Sequence, residues 1–427
     1  VRRFLILGGL AYLLLLLGLA TMNGPLLTLA VPLVVFLVAA LAYGPGALEL
    51  TATRSLSDDR VPKGKPVTVR LSVTNAGARL ERVQIEDMIP PQLEVIEGDA
   101  SLLTSLAPGE TATLTYQVRG GRGDVKLGTV RIRASDILGL FSREVVLQTP
   151  RRLMILPDVM KLRRVAIRPR RTRAYAGPVP ARQGGSGVEF FGVREYQVGD
   201  PLRWINWRVS ARHRPALFTN EFEQERITDV GLILDARRRT DRPGEEMSLF
   251  EHAVRAAASL AAAFLDDGNR VGLLVYGGFL DWTFPGYGRI QRERMLRALA
   301  GAETGESRVF ESFDFIPTRY FPAKSQLVLV SPLCEDDVRP LVQLRARGYQ
   351  LMVVSPDPVA FEGQMLGADP AVPLAIRIAR LERGLLLRRL QRAGIRTVDW
   401  QVDTPFDLAL HTSLSRQPHW FRAIGVE

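Results

Sequence analysis

The apolar positions along this chain change their period three times, and each change marks a different kind of structure. From Phe4 to Met22, and again from Leu26 to Tyr43, apolar residues run on without a charge. Wound as a helix, the first run measures roughly 28 Å, close to the ~30 Å hydrocarbon core of a bilayer. Asn23-Gly24-Pro25 between the two runs has turn composition, so a transmembrane helical hairpin is expected. A cleaved signal peptide is the other reading of the first run, but a second apolar run follows at once instead of a polar cleavage region. Arg2 and Arg3 precede the first run and the turn carries no Lys or Arg, which places both termini in the cytoplasm.

From about Leu48 to Thr149 the period falls to two. Val67, Val69, Leu71 and Val73 point one way, Thr68, Arg70, Ser72 and Thr74 the other, and Asn75-Ala76-Gly77 supplies a turn. The alternation returns in ATLTYQVRGGRG and TVRIRAS, with Pro108-Gly109 and Gly120-Gly121 between strands. Short strands at this spacing predict a small antiparallel β-sandwich of immunoglobulin-like type. From Ile227 onward, continuous apolar strands (DVGLILDA, RVGLLVYG, SQLVLVS, YQLMVVS) alternate with segments of helical period, which predicts a mainly parallel sheet covered on both faces. Ser248 to Glu251 reads as a capping box, and Gly268 and Gly394 as helix stops. The expected fold is therefore multidomain: hairpin 1–46, sandwich 47–150, connector and central segment 151–226, and C-terminal α/β domain 227–427.

Composition sharpens this in two places. Of 427 residues 46% are hydrophobic, enough for real cores, and the single cysteine, Cys334, excludes a disulfide framework. The net charge of +11 is concentrated: Arg151 to Arg182 hold ten basic residues against one acid, Asp158, which is +9 of the total. Downstream of a membrane anchor, such a run is expected to meet anionic lipid headgroups rather than nucleic acid.

Between connector and α/β domain lies GVEFFGVREYQVGDPLRWINWRVSARHRPALFTNEFEQE, Gly187 to Glu225, dense in aromatic, charged and amide side chains and without period. Its residues Glu189, Phe190, Arg194, Glu195, Tyr196, Gly199, Asp200, Arg203, Ile205, Asn206, Trp207, Ser210, Ala211 and Arg212 follow the pattern EF…REY..GD..R.INW..SAR. With DILGLF at Asp136 to Phe141 and the order of the domains, this chain resembles the bacterial family called domain of unknown function 58 (DUF58). The resemblance covers nearly the whole chain. It implies membrane anchoring, a von Willebrand factor A-like α/β domain, and partners among MoxR-type AAA+ ATPases or transglutaminase-like membrane proteins.

Physically, Val198-Gly199-Asp200-Pro201 has turn composition and is placed to hold Arg194, Glu195 and Arg203 on one edge. Asn206 can cap or cross-link backbone, while Trp204, Trp207 and Tyr196 supply apolar area with a polar handle each. A structural clasp and a protein-binding surface are both open readings for this set. The A-type domains that the resemblance implies hold a divalent ion through DxSxS after the first strand. Here that stretch reads Asp235-Ala236-Arg237-Arg238-Arg239, with arginine at both serine positions, and the strand ending at Ser331 is followed by Pro332-Leu333 rather than an acid. Guanidinium groups repel a hard cation, so Asp235 is expected to be a remnant paired with a nearby arginine, without a metal.

Catalytic constellations are sparse. The four histidines show no HExxH, and no GxSxG or Walker A loop is present. Arg377, Arg380, Arg383, Arg388, Arg389 and Arg392, interleaved with Ile376, Ile378, Leu381, Leu385 and Leu390, read as the solvated face of the C-terminal helix. The chain is therefore expected to be a non-enzymatic scaffold on the inner membrane, with two spans, its soluble domains in the cytoplasm, no cofactor and a protein partner. The alternatives are a metal-dependent adhesion module, and a hydrolase using acids such as Glu189, Glu195 and Asp200.

Overall fold

The computed structural model describes residues 2–42, 48–135, 142–163, 165, 179–213, 215–226, 229–322, 325–367 and 369–415. Internal contacts divide the chain into two units, Val1–Leu156 and Pro157–Glu427.

The first unit opens with helices α1 (Arg2–Ala20) and α2 (Gly24–Ala42), which meet through small residues: Ala11 and Ala30 are buried, and Gly18 lies against Leu27. The expected transmembrane hairpin, and with it the assignment to the inner membrane with two spans, is overturned. Among the described residues no helix is long and apolar enough to cross a membrane. The physical reason is length. α1 starts on Arg2 and Arg3 and stops at Ala20, before Met22 turns to φ 49°. That leaves roughly 25 Å of charge-free helix against a hydrocarbon core of ~30 Å. α2 is also 19 residues long, all of them uncharged, but it carries Pro25 in its first turn and Pro32 inside.

Nine strands follow: β1 (Leu50–Leu56), β2 (Arg60–Pro62), β3 (Val67–Asn75), β4 (Leu80–Asp87), β5 (Leu93–Glu97), β6 (Ser101–Leu106), β7 (Thr111–Gly120), β8 (Gly123–Ser135) and β9 (Ser142–Leu156). They form a four-stranded sheet in the order β1-β3-β7-β5 and a five-stranded sheet in the order β2-β9-β8-β4-β6. All pairings are antiparallel except β2 with β9. The inward rows of both sheets share one core, in which Val67, Val69, Leu71 and Val73 of β3 meet Val83, Ile85 and Ile132. A buried polar cluster crosses it: the Arg54 guanidinium bonds Asp87 and the Thr149 carbonyl, and Tyr116 Oη donates to Asp87 at 2.7 Å. Burial, and then the Asp87 carboxylate beside it, push the Tyr116 hydroxyl far above the ordinary phenol range. β9 runs to Leu156, so Arg151 and Arg152 sit in this sheet rather than in a connector. DILGLF at 136–141 lies outside the described residues, as do Arg164, Arg168, Arg170, Arg171 and Arg173 of the basic run.

In the second unit, residues after Pro157 run along a core. Val159, Met160, Leu162 and Val165 pack on it, and Met160 N–H donates to Ser259 Oγ at 2.9 Å. β10 (Val179–Glu195) and β11 (Phe218–Arg226) form a bulged antiparallel pair, with α3 (Trp207–Ser210) in the excursion between them. A six-stranded sheet comes next: β12 (Asp229–Ala236), β13 (Arg270–Gly277), β14 (Leu280–Gly286), β15 (Gln326–Val330), β16 (Gln350–Pro356) and β17 (Arg396–Trp400), in the order β14-β13-β12-β15-β16-β17. All neighbours are parallel except the edge strand β14. The helices are α4 (Leu249–Asp266), α5 (Gly288–Ala300), α6 (Val338–Ala346), α7 (Pro358–Gly363), α8 (Val372–Arg392) and α9 (Phe406–Ser415). α4, α5 and α9 contribute to one core with one set of strand residues, and α6 and α8 to another. β12, covered on both faces, is buried at every position, which is why its sequence is apolar without alternation. Ser248 Oγ accepts the Glu251 N–H and so starts α4.

Candidate functional site

The parallel strands end together at one edge of the sheet, and the strand order reverses between β12 and β15, the usual place for a ligand crevice. Asp235 at the end of β12 and Ser331 after β15 meet there: Ser331 Oγ donates to Asp235 Oδ2 at 2.6 Å. The space beside them is filled by Arg237. Its Nε and Nη2 donate to Asp235 Oδ1 and Oδ2, and its Nη1 and Nη2 to Asp337 Oδ1 and Oδ2, all at 2.8 Å. Nη1 also reaches the Glu311 carbonyl at 2.9 Å. A guanidinium has five N–H donors, so none is left over. The Phe313 ring lies 3.9 Å from its carbon, and Asp235, Arg237, Ser331 and Asp337 are 0–3% exposed. Burial works against the cation, but the hydrogen bonds of Asp235 and then Asp337 outweigh it and hold the Arg237 pKa above the ordinary guanidinium value. Asp235 is thus paired with an arginine two residues away, while Asp337, remote in sequence, is a member that sequence reasoning missed.

Cys334, Asp336 and Asp337 bring ligand-type atoms within 4.8 Å of one another. Asp337 is already engaged by Arg237 and by the Cys334 N–H at 2.8 Å. Asp336 pairs with Arg239 at 2.8 Å. Burial, and then the Asp337 charge, push the Cys334 thiol up, which keeps it protonated at neutral pH and a poor ligand or nucleophile. Leu333, between Ser331 and Cys334, takes φ 68°, and its N–H donates to Ser331 Oγ at 3.0 Å. A left-handed leucine is uncommon, and here the surrounding bonds hold it.

A second buried arginine is Arg383 of α8, and the structure corrects the expectation that it belongs to a solvated face. It bonds Asp399 Oδ1 at 2.6 Å, the Pro332 carbonyl at 3.1 Å and the Ser355 carbonyl at 3.2 Å, and its Nε is 3.2 Å from Asp357 Oδ1. Its side chain is 8% exposed. The Pro332 carbonyl also accepts a bond from Ser355 Oγ at 3.1 Å, so Arg383 and Ser355 together tie the ends of β15 and β16.

The central segment is built differently. Arg194 on β10 makes a bidentate pair with Asp200, Nη2 to Oδ1 at 2.7 Å and Nη1 to Oδ2 at 2.8 Å, and its Nε is 3.6 Å from Glu221 on β11. Asp200 also accepts the Gln197 N–H at 2.9 Å, while Gly199 takes φ 111°, the positive φ that this turn requires. The Arg194 bond first and the Gln197 amide second hold the Asp200 carboxyl below its ordinary value, and Asp200 in turn raises Arg194. Tyr196 Oη reaches the Asp200 carbonyl at 3.4 Å. Asn206 caps α3 by accepting the Val209 N–H at 3.1 Å and donates to Asn220 Oδ1 at 2.8 Å. Ser210 Oγ donates to the Asn206 carbonyl at 2.9 Å and accepts the Phe218 N–H at 2.8 Å. These polar residues therefore bond one another and the hairpin backbone.

Of the apolar residues, Ile205 is buried and Trp204 half-buried, but four others point out. Phe190 is 61% exposed, Leu202 70%, Trp207 67% and Val198 102%. Glu195, Arg203, Arg208 and Arg212 are exposed as well, with the Arg203 guanidinium 6.0 Å from the Trp204 ring. Glu189 lies on β10, but its side chain is outside the described set.

This construction falls in a segment with known relatives. Residues 192–359 match the family described as "Protein of unknown function DUF58". The matched residues run from the end of β10 through β16, which is under half of the chain. The chain is also similar to the uncharacterised protein YeaD of Bacillus subtilis (strain 168), 29% identical over 197 residues, which are 45% of this chain and 47% of that protein. It thus spans about half the length of that relative. Among solved structures, the FixG-related protein of Vibrio parahaemolyticus is 16% identical over 24% of this chain and 95% of its own, with a TM-score of 0.17. The VesB protease of Vibrio cholerae is 12% identical over 26% of this chain and 33% of its own, with a TM-score of 0.16. At such scores neither likeness bears on fold or function.

Proposed function

We propose that this chain is a non-enzymatic scaffold that presents the excursion between β10 and β11 to a protein partner. One observation carries the reading: the polar residues of this segment are bonded internally, while Phe190, Val198, Leu202 and Trp207 face solvent. An exposed aromatic on a rigid polar frame is what a binding anchor requires, because little side-chain freedom remains to be lost on docking. The two carboxyl oxygens of Asp200 are held by Arg194, which disfavours an acid/base role for it. The strand order with one antiparallel edge supports a von Willebrand factor A-like reading of the sheet, in which the Arg237 guanidinium sits where a divalent ion would need oxygen ligands. A MoxR-type AAA+ ATPase is the partner we propose, on the resemblance alone.

The test is site-specific photo-crosslinking. With a benzophenone amino acid at Leu202 of the full chain, purified MoxR-type ATPase is expected to be captured, and the yield to fall at least about tenfold on Trp207→Ala. No capture, or a yield indifferent to Trp207→Ala, overturns the proposal.

A further inference from the structure

α8 turns a row of branched aliphatic residues to water. Leu374, Ile378, Leu381 and Leu385 are 62%, 49%, 59% and 51% exposed, whereas the buried positions of the helix are Arg383, Leu387 and Leu390. The four exposed residues follow one another at spacings of four, three and four, so they form one stripe with the rhythm of a coiled-coil seam. Single exposed leucines are ordinary, but a continuous stripe marks an interface. The helix cannot relieve this exposure by rolling over. Its inner face is fixed by Leu387 and Leu390 in the core and by Arg383, whose removal would leave the buried Asp357 carboxylate without its cation and break the bonds to Asp399, Pro332 and Ser355.

The margins of the stripe say what covers it. Arg377, Arg380 and Arg388 are exposed, have no carboxylate partner among the described residues and all lie on one side of the stripe at about 100° per residue; the other side carries Glu382, the one acid of α8, and Arg389, which pairs with Glu335. A second copy of α8 would set arginines against arginines. Nucleic acid would suit the arginines but offers nothing to the leucine seam.

We infer that the Leu374–Leu385 stripe of α8 docks an amphipathic helix of another protein, one with aliphatic residues along its seam and carboxylates on the flank that meets Arg377, Arg380 and Arg388. This surface lies outside residues 192–359 and does not depend on the excursion between β10 and β11. The experiment is fluorescence anisotropy of a labelled synthetic helix with leucine at four-three-four spacing and glutamate along one flank, titrated with the full chain. Saturable binding is expected, weakened about tenfold or more by Arg377→Glu with Arg380→Glu, and abolished by Leu381→Asp. These positions are exposed, so the variants should melt like the wild type. Ile378→Asp serves as a second seam variant should Leu381→Asp fail to fold. A lysine-flanked helix with the same seam should bind at least about tenfold more weakly. Equal binding of the two helices, or no binding of the glutamate-flanked one, overturns the inference. So does a chain that sediments as a dimer and becomes a monomer on Leu381→Asp, which would assign the stripe to a second copy.

Discussion

The sheet edge around Arg237 and the excursion between β10 and β11 both centre on an arginine gripped by carboxylates, yet they use it to opposite ends. Arg237 is buried, and all five of its donors are taken by Asp235, Asp337 and the Glu311 carbonyl. Arg194 is part-exposed, and its pairing with Asp200 stiffens a turn whose apolar residues remain outside. A fully satisfied polar cluster inside a protein is a structural fastener. The same bonding at the surface builds a platform, and what it leaves unsatisfied is the apolar area on top.

That contrast can be broken at its strong end first. Arg237→Met leaves Asp235 and Asp337 buried without their cation, and about 3–5 kcal/mol of stability should be lost from the transition that reports the second unit in urea. A loss under about 1 kcal/mol would mean that the cluster is wetter or looser than its geometry implies. At the surface clasp, Asn206→Ala removes a helix cap and a bond to Asn220, for which a loss of about 1–2 kcal/mol is expected by the same denaturation. Trp207→Ala should change stability by less than about 0.5 kcal/mol while abolishing partner capture. If it unfolded the unit instead, Trp207 would be core and the platform reading would fall.

The smallest effect is a pH dependence. Asp200 titrates below its ordinary value of 3.8 when folded, so its contribution is present above that value and fades as the pH falls through the lowered folded value. The Gln197 amide should therefore lose hydrogen-exchange protection on acidification, after correction for intrinsic rates. In Asp200→Asn the dependence should vanish.

The two regions also differ in how far the sequence reveals them. The clasp residues Arg194, Asp200, Asn206 and Ser210 stand close together in the chain, and their residue types already point to a turn, a cap and an ion pair. Arg237 and Asp235 are neighbours too, but Asp337 is 100 residues from Arg237, and nothing local to EDD marks its first two carboxylates from its buried last one. The tie of Arg54, Asp87 and Tyr116 across the two sheets of the first unit is invisible for the same reason. The apolar runs at the N-terminus misled because composition gives no helix ends: the turn at Met22 shortens α1 below what a bilayer needs.

By itself the sequence determined what depends on near neighbours. The alternation in β3 gives one inward row, Val67 to Val73, at 0–1% exposure, the unbroken apolar run of β12 is buried on both faces, Ser248 caps α4, and Gly268 and Gly394 take positive φ near helix ends. Only the tertiary structure decided which of two candidate faces of α8 turns inward. Arg383, Leu387 and Leu390 form one helical stripe, and Leu374, Ile378, Leu381 and Leu385 another. Periodicity makes both amphipathic, and hydrophobicity alone would bury the second. Beyond the ends of β15, β16 and β17, Arg383 meets the buried Asp357 carboxylate, Asp399 and the Pro332 and Ser355 carbonyls, while Leu387 and Leu390 enter the core. Groups on strands distant in sequence thus set the orientation of the helix, because turning Arg383 away would leave a buried carboxylate without its cation.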